Sequence, residues 1–163
     1  MEKLIGIELQ LPEGKLPGFY AQIVKGIADA APLVDRDKTL LFLAGEGDAD
    51  AVEQFVSRYR VGTERSEWAP LDESWSADER LFTDFGVVTR SGRHYIDLQL
   101  AAVVAIVPAG DDAEPDQASL QAEEFAFARK QEEGRRLFAV GRHHAELLEG
   151  VARAYGCQAK QLL

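Results

Sequence analysis

The chain has 163 residues, of which 46% are hydrophobic and 28% are charged, and its formal net charge is −10. This length and composition are typical of a soluble globular protein, and we expect one domain over residues 1–163 rather than a disordered chain. The negative charge opposes sequence-independent binding of DNA or RNA, because such binding depends on lysine and arginine contacts with phosphate.

The pattern at the N-terminus and the cysteine usage favour a cytoplasmic protein. The first residues mix acids with apolar side chains and lack the long apolar stretch of a signal peptide. The most apolar run, residues 98–108, is far shorter than the ~20 residues that a spanning helix needs, so we expect no membrane partner. The single cysteine, Cys157, cannot form an internal disulfide, and we interpret it as a half-buried apolar residue.

The first half of the chain predicts the order β-α-β-α. Alternation of apolar residues indicates a strand, a period of three to four residues indicates a helix, and a short continuous apolar run indicates a strand buried on both faces. These patterns predict a strand over residues 4–11, a helix over 17–31, a buried strand over 38–45 and a helix over 48–59 capped by Asp48 or Asp50.

Residues 65–86 interrupt this order, and we expect mostly a long loop. Within it, Ser76 and Glu79 have the spacing of a capping box, which predicts a short helix that holds Leu81 and Phe82.

Residues 86–107 predict a hairpin that continues into a long strand. A two-residue turn at Ser91 and Gly92 would place Val88 opposite Tyr95. From Ile96 to Ile106, every second residue is apolar and would share one face of an uninterrupted strand.

From about Ser119 the spacing of apolar residues predicts a long C-terminal helical segment, which Gly134 either divides or merely weakens. The predicted fold is therefore α+β, a single domain with the order β-α-β-α-(short helix)-β-β-α(-α). We expect a mixed sheet of about four strands, packed by the N-terminal helices and the C-terminal helical segment.

No motif in the chain predicts catalysis, a cofactor or a metal. Residues 45–50, GEGDAD, resemble a nucleotide-binding glycine loop, but Asp50 occupies the position of the third glycine and no Lys-Ser/Thr pair follows. Neither G-x-S-x-G nor H-E-x-x-H occurs. We therefore predict no catalytic residue, and these patterns favour a protein that is not an enzyme.

Two adjacent histidines, His143 and His144, lie close to Glu146. On a helix, His144 would join the apolar stripe and His143 the charged face, so the two rings cannot face one centre. Two candidate ligands on one helix are also too few for a metal site. We therefore predict that His144 is a buried or half-buried structural residue.

Acidic and aromatic residues are interleaved between residues 64 and 84, where seven acids accompany two bases and both tryptophans. Aromatic anchors inside a charged rim are typical of protein interfaces, and acidic charge speeds the capture of a basic partner. The predicted partner-binding surface comprises Trp68, Asp72, Glu73, Trp75, Asp78, Glu79, Tyr95 and Asp97. Alternatively, this segment covers the protein's own sheet.

These patterns leave three hypotheses about function. The first is a non-enzymatic module that binds a basic protein partner, for example a bacterial immunity protein that neutralises a toxin effector. The second is an enzyme or small-ligand protein of unknown class. The third is a structural or adaptor subunit that docks into a larger assembly through its C-terminal helix.

Overall fold

The structure is a computed structural model that describes all residues from Met1 to Leu163. The chain divides into two compact units, which we name the N-terminal unit (residues 2–70 and 89–92) and the C-terminal unit (residues 71–88 and 93–163). Its strands form two antiparallel sheets, one of six strands and one of five. The fold is α+β, but the predicted four-stranded mixed sheet with a long C-terminal helical segment is wrong. None of the helices combines the length and apolar character needed to cross a membrane.

The N-terminal unit contains two helices against one face of its strands. The elements in chain order are β1 (Leu4–Gln10), α1 (Pro17–Ala30), β2 (Asp35–Asp37), β3 (Leu40–Leu43), α2 (Glu46–Ser57) and β4 (Gly62–Leu71). The strands run in the order β2-β3-β1-β4, and β1 pairs antiparallel with both β3 and β4.

The apolar periodicity of the first half of the chain is confirmed. Ile7 and Leu9 of β1 pack with Ile23 and Ile27 of α1 in one buried cluster, and all four residues of β3 are buried. The expected cap of α2 is wrong, because the helix begins after Gly45 without a side-chain cap. Its first turn instead contains acids, which are stabilised by the positive end of the helix dipole.

The elements of the C-terminal unit are β5 (Ser76–Ala77), α3 (Glu79–Phe82), β6 (Gly86–Val88), β7 (His94–Asp97), β8 (Ala101–Pro108), α4 (Pro115–Ala122), β9 (Ala126–Glu132), β10 (Arg135–Gly141), a 3-10 turn (Arg142–His144), α5 (Ala145–Ala154) and β11 (Cys157–Gln161). The unit contains the five-stranded sheet, in the order β11-β8-β10-β9-β5, and the antiparallel β6–β7 hairpin.

The predicted C-terminal helical segment contains a β-hairpin. Strands β9 and β10 pair antiparallel across a turn at Glu133 and Gly134, and Gly134 has a φ of 75° that favours glycine. The segment is rich in glutamate, glutamine, lysine and arginine, whose intrinsic preference is helical. Burial overrides that preference, because residues 137–140 are all buried, as expected for a strand covered on both faces.

The predicted long strand is interrupted at residues 98–100. The Asp97 carboxylate accepts a hydrogen bond from the Gln99 N–H at 2.9 Å, and the Leu100 N–H donates to the Asp97 carbonyl at 3.0 Å, which makes a turn. The Arg142 side chain stabilises this turn by donating to the carbonyls of Leu98 and Ala101. Strand β8 consequently starts anew in the other sheet.

The predicted hairpin register is also wrong. Val88 pairs with His94 rather than with Tyr95, so five residues rather than two connect β6 and β7. The N–H of Gly92 donates to the carbonyl of Thr89, which places the reversal within this longer loop.

Part of the predicted loop over 65–86 is strand. Residues up to Leu71 belong to β4, which pairs with β1 over seven positions. The short helix does occur as α3, but Asp78 caps it instead of Ser76, by accepting the backbone N–H of Arg80 at 3.0 Å. Only the C-terminal end of β4 is buried. The rest of the strand is mostly exposed and lacks the apolar alternation from which strands are predicted.

Candidate partner-binding surface

The predicted site residue Trp68 lies in the N-terminal unit and is only 7% exposed. Its ring packs edge-to-face against Phe42 with centroids 5.4 Å apart, and its indole N–H donates to the Ser66 hydroxyl at 2.7 Å. The ring also lies directly over Gly6, where a Cβ atom would approach the indole within 2.7 Å of Cδ1. In this conformation the Trp68 ring contributes almost no surface to a partner.

Two further predicted residues, Tyr95 and Asp97, lie on β7 in the C-terminal unit. The Tyr95 side chain is 1% exposed and therefore belongs to the interior. Asp97 is half-buried, and its carboxylate caps the turn that ends β7. Both residues have clear structural roles in the fold.

The predicted acids Asp72 and Glu73 are exposed, and Trp75 beside them is half-buried. Asp72 organises a tight turn, because its carboxylate accepts the N–H of Ser74 at 2.9 Å and also the Ser74 hydroxyl. These hydrogen bonds, followed by the nearby Lys130 ammonium, lower the pKa of Asp72 below its ordinary value. Asp72 is thus held ionised at the surface.

Asp78 and Glu79 begin α3 beside the edge of the five-stranded sheet. The N–H of Asp78 donates to the carbonyl of Phe127 on β9 at 2.8 Å, which anchors the start of the helix. The exposed Glu79 carboxylate lies 2.9 Å from His94 Nε2. The four acids at positions 72, 73, 78 and 79 therefore lie along one stretch of a single unit.

The phenylalanines of this segment pack inward. Phe82 is fully buried, with its ring centroid 5.8 Å from that of Phe127 and 4.8 Å from that of His94. Phe85 stacks on Phe127 with centroids 4.6 Å apart and planes inclined by 5°. These two rings therefore cover the protein's own five-stranded sheet, as the alternative interpretation of this segment expected. The carboxylates of the segment remain on the outside.

A surface cavity of about 280 Å³ adjoins β5. Its charged lining consists of Asp78, Glu123 and Arg129, and its apolar lining consists of Phe127 and three alanines. Glu123 and Arg129 form an ion pair with an N···O distance of 2.5 Å. The cavity is slightly smaller than the ~300–1,000 Å³ of typical small-molecule sites.

We name the four acids Asp72, Glu73, Asp78 and Glu79, together with this cavity, the acidic face. Residues 71–88 contain five acids and a single base, Arg80. Sequence reasoning identified these acids, but it missed the cavity, because Glu123 and Arg129 come from a region expected to be helical. The short apolar run over residues 125–128 was the available signal for the strand that forms its wall.

A second charged cluster, in the N-terminal unit, has a structural role. The Arg65 guanidinium on β4 contacts three carboxylates of α2, those of Glu46, Asp50 and Glu53. The hydrogen bonds that the guanidinium donates to Glu53 and Asp50 raise the pKa of Arg65 above its ordinary value. The three acids recur at helical spacing, which places them on one side of α2 and ties that helix to β4.

The adjacent histidines lie before α5 rather than on it. His143 and His144 occupy the 3-10 turn with ring centroids 3.9 Å apart, and His144 is half-buried with its ring 5.3 Å from that of Phe125. The helical-phase argument therefore does not apply, although a half-buried His144 is confirmed. The structure contains no group of three or more His, Cys, Asp or Glu side chains that could hold a metal ion. Comparisons with protein-family models, with curated proteins and with solved structures find no match to this chain.

Proposed function

We propose that this chain is a non-enzymatic protein-binding module whose acidic face engages a basic protein partner. The observation that carries the proposal is the separation of side chains in residues 71–88. Phe82 and Phe85 pack inward, while Asp72, Glu73 and Glu79 are exposed. The lysine beside these acids, Lys130, lies 3.7 Å from Asp72, and the face keeps an excess of negative charge. A surface of one sign accelerates the capture of a partner of opposite sign and disfavours partners of like sign.

The cavity lets this surface distinguish partners by shape, because only a side chain of suitable length can enter it. A lysine or arginine side chain from the partner can place its apolar stem along the alanine wall and its charge beside Asp78 and Glu123. The incoming charge would compete with Arg129 for the Glu123 carboxylate, and the existing Arg129–Glu123 ion pair supports a guanidinium–carboxylate contact at this position. A bacterial immunity protein that neutralises a basic toxin effector in the cytoplasm is one concrete instance of this function.

The test compares two variants that change net charge equally. In the face variant, Asp72→Asn, Glu73→Gln and Glu79→Gln remove three charges from the acidic face. In the control variant, three other exposed acids are neutralised, by the substitutions Asp111→Asn, Asp112→Asn and Glu149→Gln. Asp78 is left intact because it caps α3.

Binding is measured with an immobilised arginine-rich peptide and by affinity capture from the native host with mass spectrometry. We expect the face variant to bind the peptide at least tenfold more weakly, with a smaller salt dependence, and to lose a captured basic protein that the control variant retains. Equal losses for both variants would mean that only net charge matters, and unchanged capture by the face variant would refute the acidic face as the binding surface.

A further inference from the structure

Strand β11 forms one edge of the five-stranded sheet, and its only neighbour there is β8. The hydrogen bonds at the two ends of this pairing determine which residues of β11 bond to β8 and which point away from it. The N–H of Ala109 donates to the carbonyl of Gly156 at 3.0 Å, and the N–H of Leu162 donates to the carbonyl of Val103 at 2.8 Å. Because hydrogen-bonded and non-hydrogen-bonded pairs alternate in an antiparallel ladder, Gln158 also points its backbone groups towards β8.

The odd-numbered residues of β11 consequently point their backbone groups away from the sheet. The N–H and C=O groups of Cys157, Ala159 and Gln161 form an outward row, and none of them has a backbone partner. Such a row is a template on which another strand can add. The strand is free of proline, and its five residues carry one charge, that of Lys160.

The outward row is self-complementary in one register. A second β11 placed antiparallel about a two-fold axis at Ala159 pairs Cys157 with Gln161 of the other copy and Ala159 with Ala159. All three outward residues then form hydrogen-bonded pairs, which gives six hydrogen bonds across the axis. Moving the axis by one residue in either direction reduces the hydrogen-bonded pairs within the strand from three to two.

Charge selects the same register. With the axis at Ala159, each Lys160 lies opposite Gln158 of the other copy. With the axis moved to Lys160, the two lysines lie directly opposite each other, which is unfavourable for like charges on paired strands. Lys160 therefore disfavours the register with the axis at Lys160 and is compatible with the register with the axis at Ala159.

We propose that β11 is a homodimerisation edge, on which β11 of a second copy of this chain adds antiparallel about a two-fold axis at Ala159. The two five-stranded sheets become one continuous sheet of ten strands. Two-fold pairing of identical edges is closed, so it ends at the dimer and does not propagate into fibres. The proposal is independent of the acidic face, which lies at the β5 end of the same sheet.

The first test is disulfide trapping in a Cys157→Ala background. An Ala159→Cys substitution places two thiols on a hydrogen-bonded pair with Cα atoms ~5.5 Å apart, within the ~4.4–6.8 Å range of disulfides. Under mild oxidation with diamide we expect a covalent dimer of twice the 18.0 kDa chain. The matched control is Lys160→Cys, whose Cα atoms would lie about 8 Å apart, beyond disulfide reach, so we expect it to remain uncrosslinked.

The second test uses the unmodified chain and so does not depend on how the cysteine variants fold. Amide hydrogen exchange is measured over a range of protein concentrations, with sedimentation analysis alongside. We expect the amides of Ala159 and Gln161 to slow as the dimer forms, while those of Gln158 and Lys160 keep their protection throughout. Ala159→Pro removes one outward N–H and leaves the bonds to β8 in place, and it should return the chain to a monomer.

Three results would overturn the proposal. One is a chain that stays at 18.0 kDa at several hundred micromolar, with fast exchange at Ala159 at every concentration. Another is a dimer that Ala159→Pro leaves intact, which would place the dimer contact on a different surface. The third is a monomer that loses a captured partner protein on Ala159→Pro, which would assign this edge to that partner.

Discussion

The burial of Trp68 against Gly6 leads to a sharp prediction for the substitution Gly6→Ala. Adding a methyl group at a strand glycine with an ordinary backbone conformation normally stabilises a protein by about 0.4–1 kcal/mol, because the unfolded chain loses freedom. Here the new Cβ would lie 2.7 Å from Trp68 Cδ1 and 2.9 Å from the Ser66 hydroxyl oxygen. Those approaches are far inside van der Waals contact, so the ring or the strand must move.

The ring has little room to move. Trp68 is 7% exposed, it packs against Phe42, and its indole N–H is hydrogen-bonded to Ser66. Overpacking of a filled core costs ~1–3 kcal/mol, which exceeds the entropic gain. We therefore expect Gly6→Ala to destabilise the N-terminal unit by a net of up to ~2.6 kcal/mol, the difference between these two ranges.

The assay is urea unfolding followed by tryptophan fluorescence in a Trp75→Phe background, so that the signal comes from Trp68 alone. The control is Gly150→Ala on α5, where nothing lies within 4 Å of the new Cβ; because α5 belongs to the C-terminal unit, its unfolding is followed by far-UV circular dichroism. Helix propensity predicts a gain of about 0.8–1 kcal/mol for this control. If Gly6→Ala proves as stable as the parent while Gly150→Ala gains stability, the placement of Trp68 over Gly6 is refuted.

Two further predictions concern the C-terminal unit. Leu148→Ala, which empties a fully buried site, should cost about 2–5 kcal/mol in chemical denaturation, whereas Leu147→Ala, at a position that is 43% exposed, should cost under about 0.5 kcal/mol. Hydrogen bonds from Arg135 and Lys130 hold the pKa of Glu132 below its ordinary 4.5, so its contribution is present above that pH and is lost as the pH falls through the folded-state pKa. Thermal unfolding of Glu132→Gln should therefore differ from the parent at neutral pH and converge with it once the pH has fallen below the folded-state pKa. A difference that stays constant from neutral to strongly acidic pH would contradict this pKa shift.

The N-terminal elements could be predicted because their local patterns agree with their environment. Strand β1 has one face against helices, so Ile7 and Leu9 alternate with residues of the other face. Helix α1 buries a single stripe, which gives the helical period of Ile23 and Ile27. In each case one buried face imposes the period that the sequence displays.

The C-terminal unit could not be predicted in the same way, because its strands are either central or peripheral. Central β10 is buried on both faces and shows an unbroken apolar run, while β9 beside it ends in charged residues with helical propensity. Only the pairing of the two distinguishes them from a helix. Glu133 and Gly134 offered a local turn signal, but a single glycine also occurs at weak points in helices.

The acids of the candidate site could be found from the sequence, and the burial of its aromatics could not. Interleaved aromatic and acidic residues have the same composition in an interface and in a strand–helix junction that packs on its own sheet. The distinction depends on Phe127, a residue 40 or more positions away, whose ring receives both Phe82 and Phe85. Such a non-local partner leaves no periodicity in the segment itself.

The corrected fold connects the two proposed surfaces. Because residues 126–141 form a hairpin, the C-terminal unit has a sheet with two edges, with the acidic face at β5 and the free row of β11 at the opposite end. Four strand spacings of about 4.8 Å separate these edges, so a second copy added to β11 leaves the acidic face uncovered. A homodimer would then present two acidic faces at the far ends of one ten-stranded sheet. A partner with two basic segments spaced to reach both would bind more tightly than either site alone allows. Binding of a single arginine-rich peptide would be the same for the parent chain and for Ala159→Pro, because it uses one acidic face only.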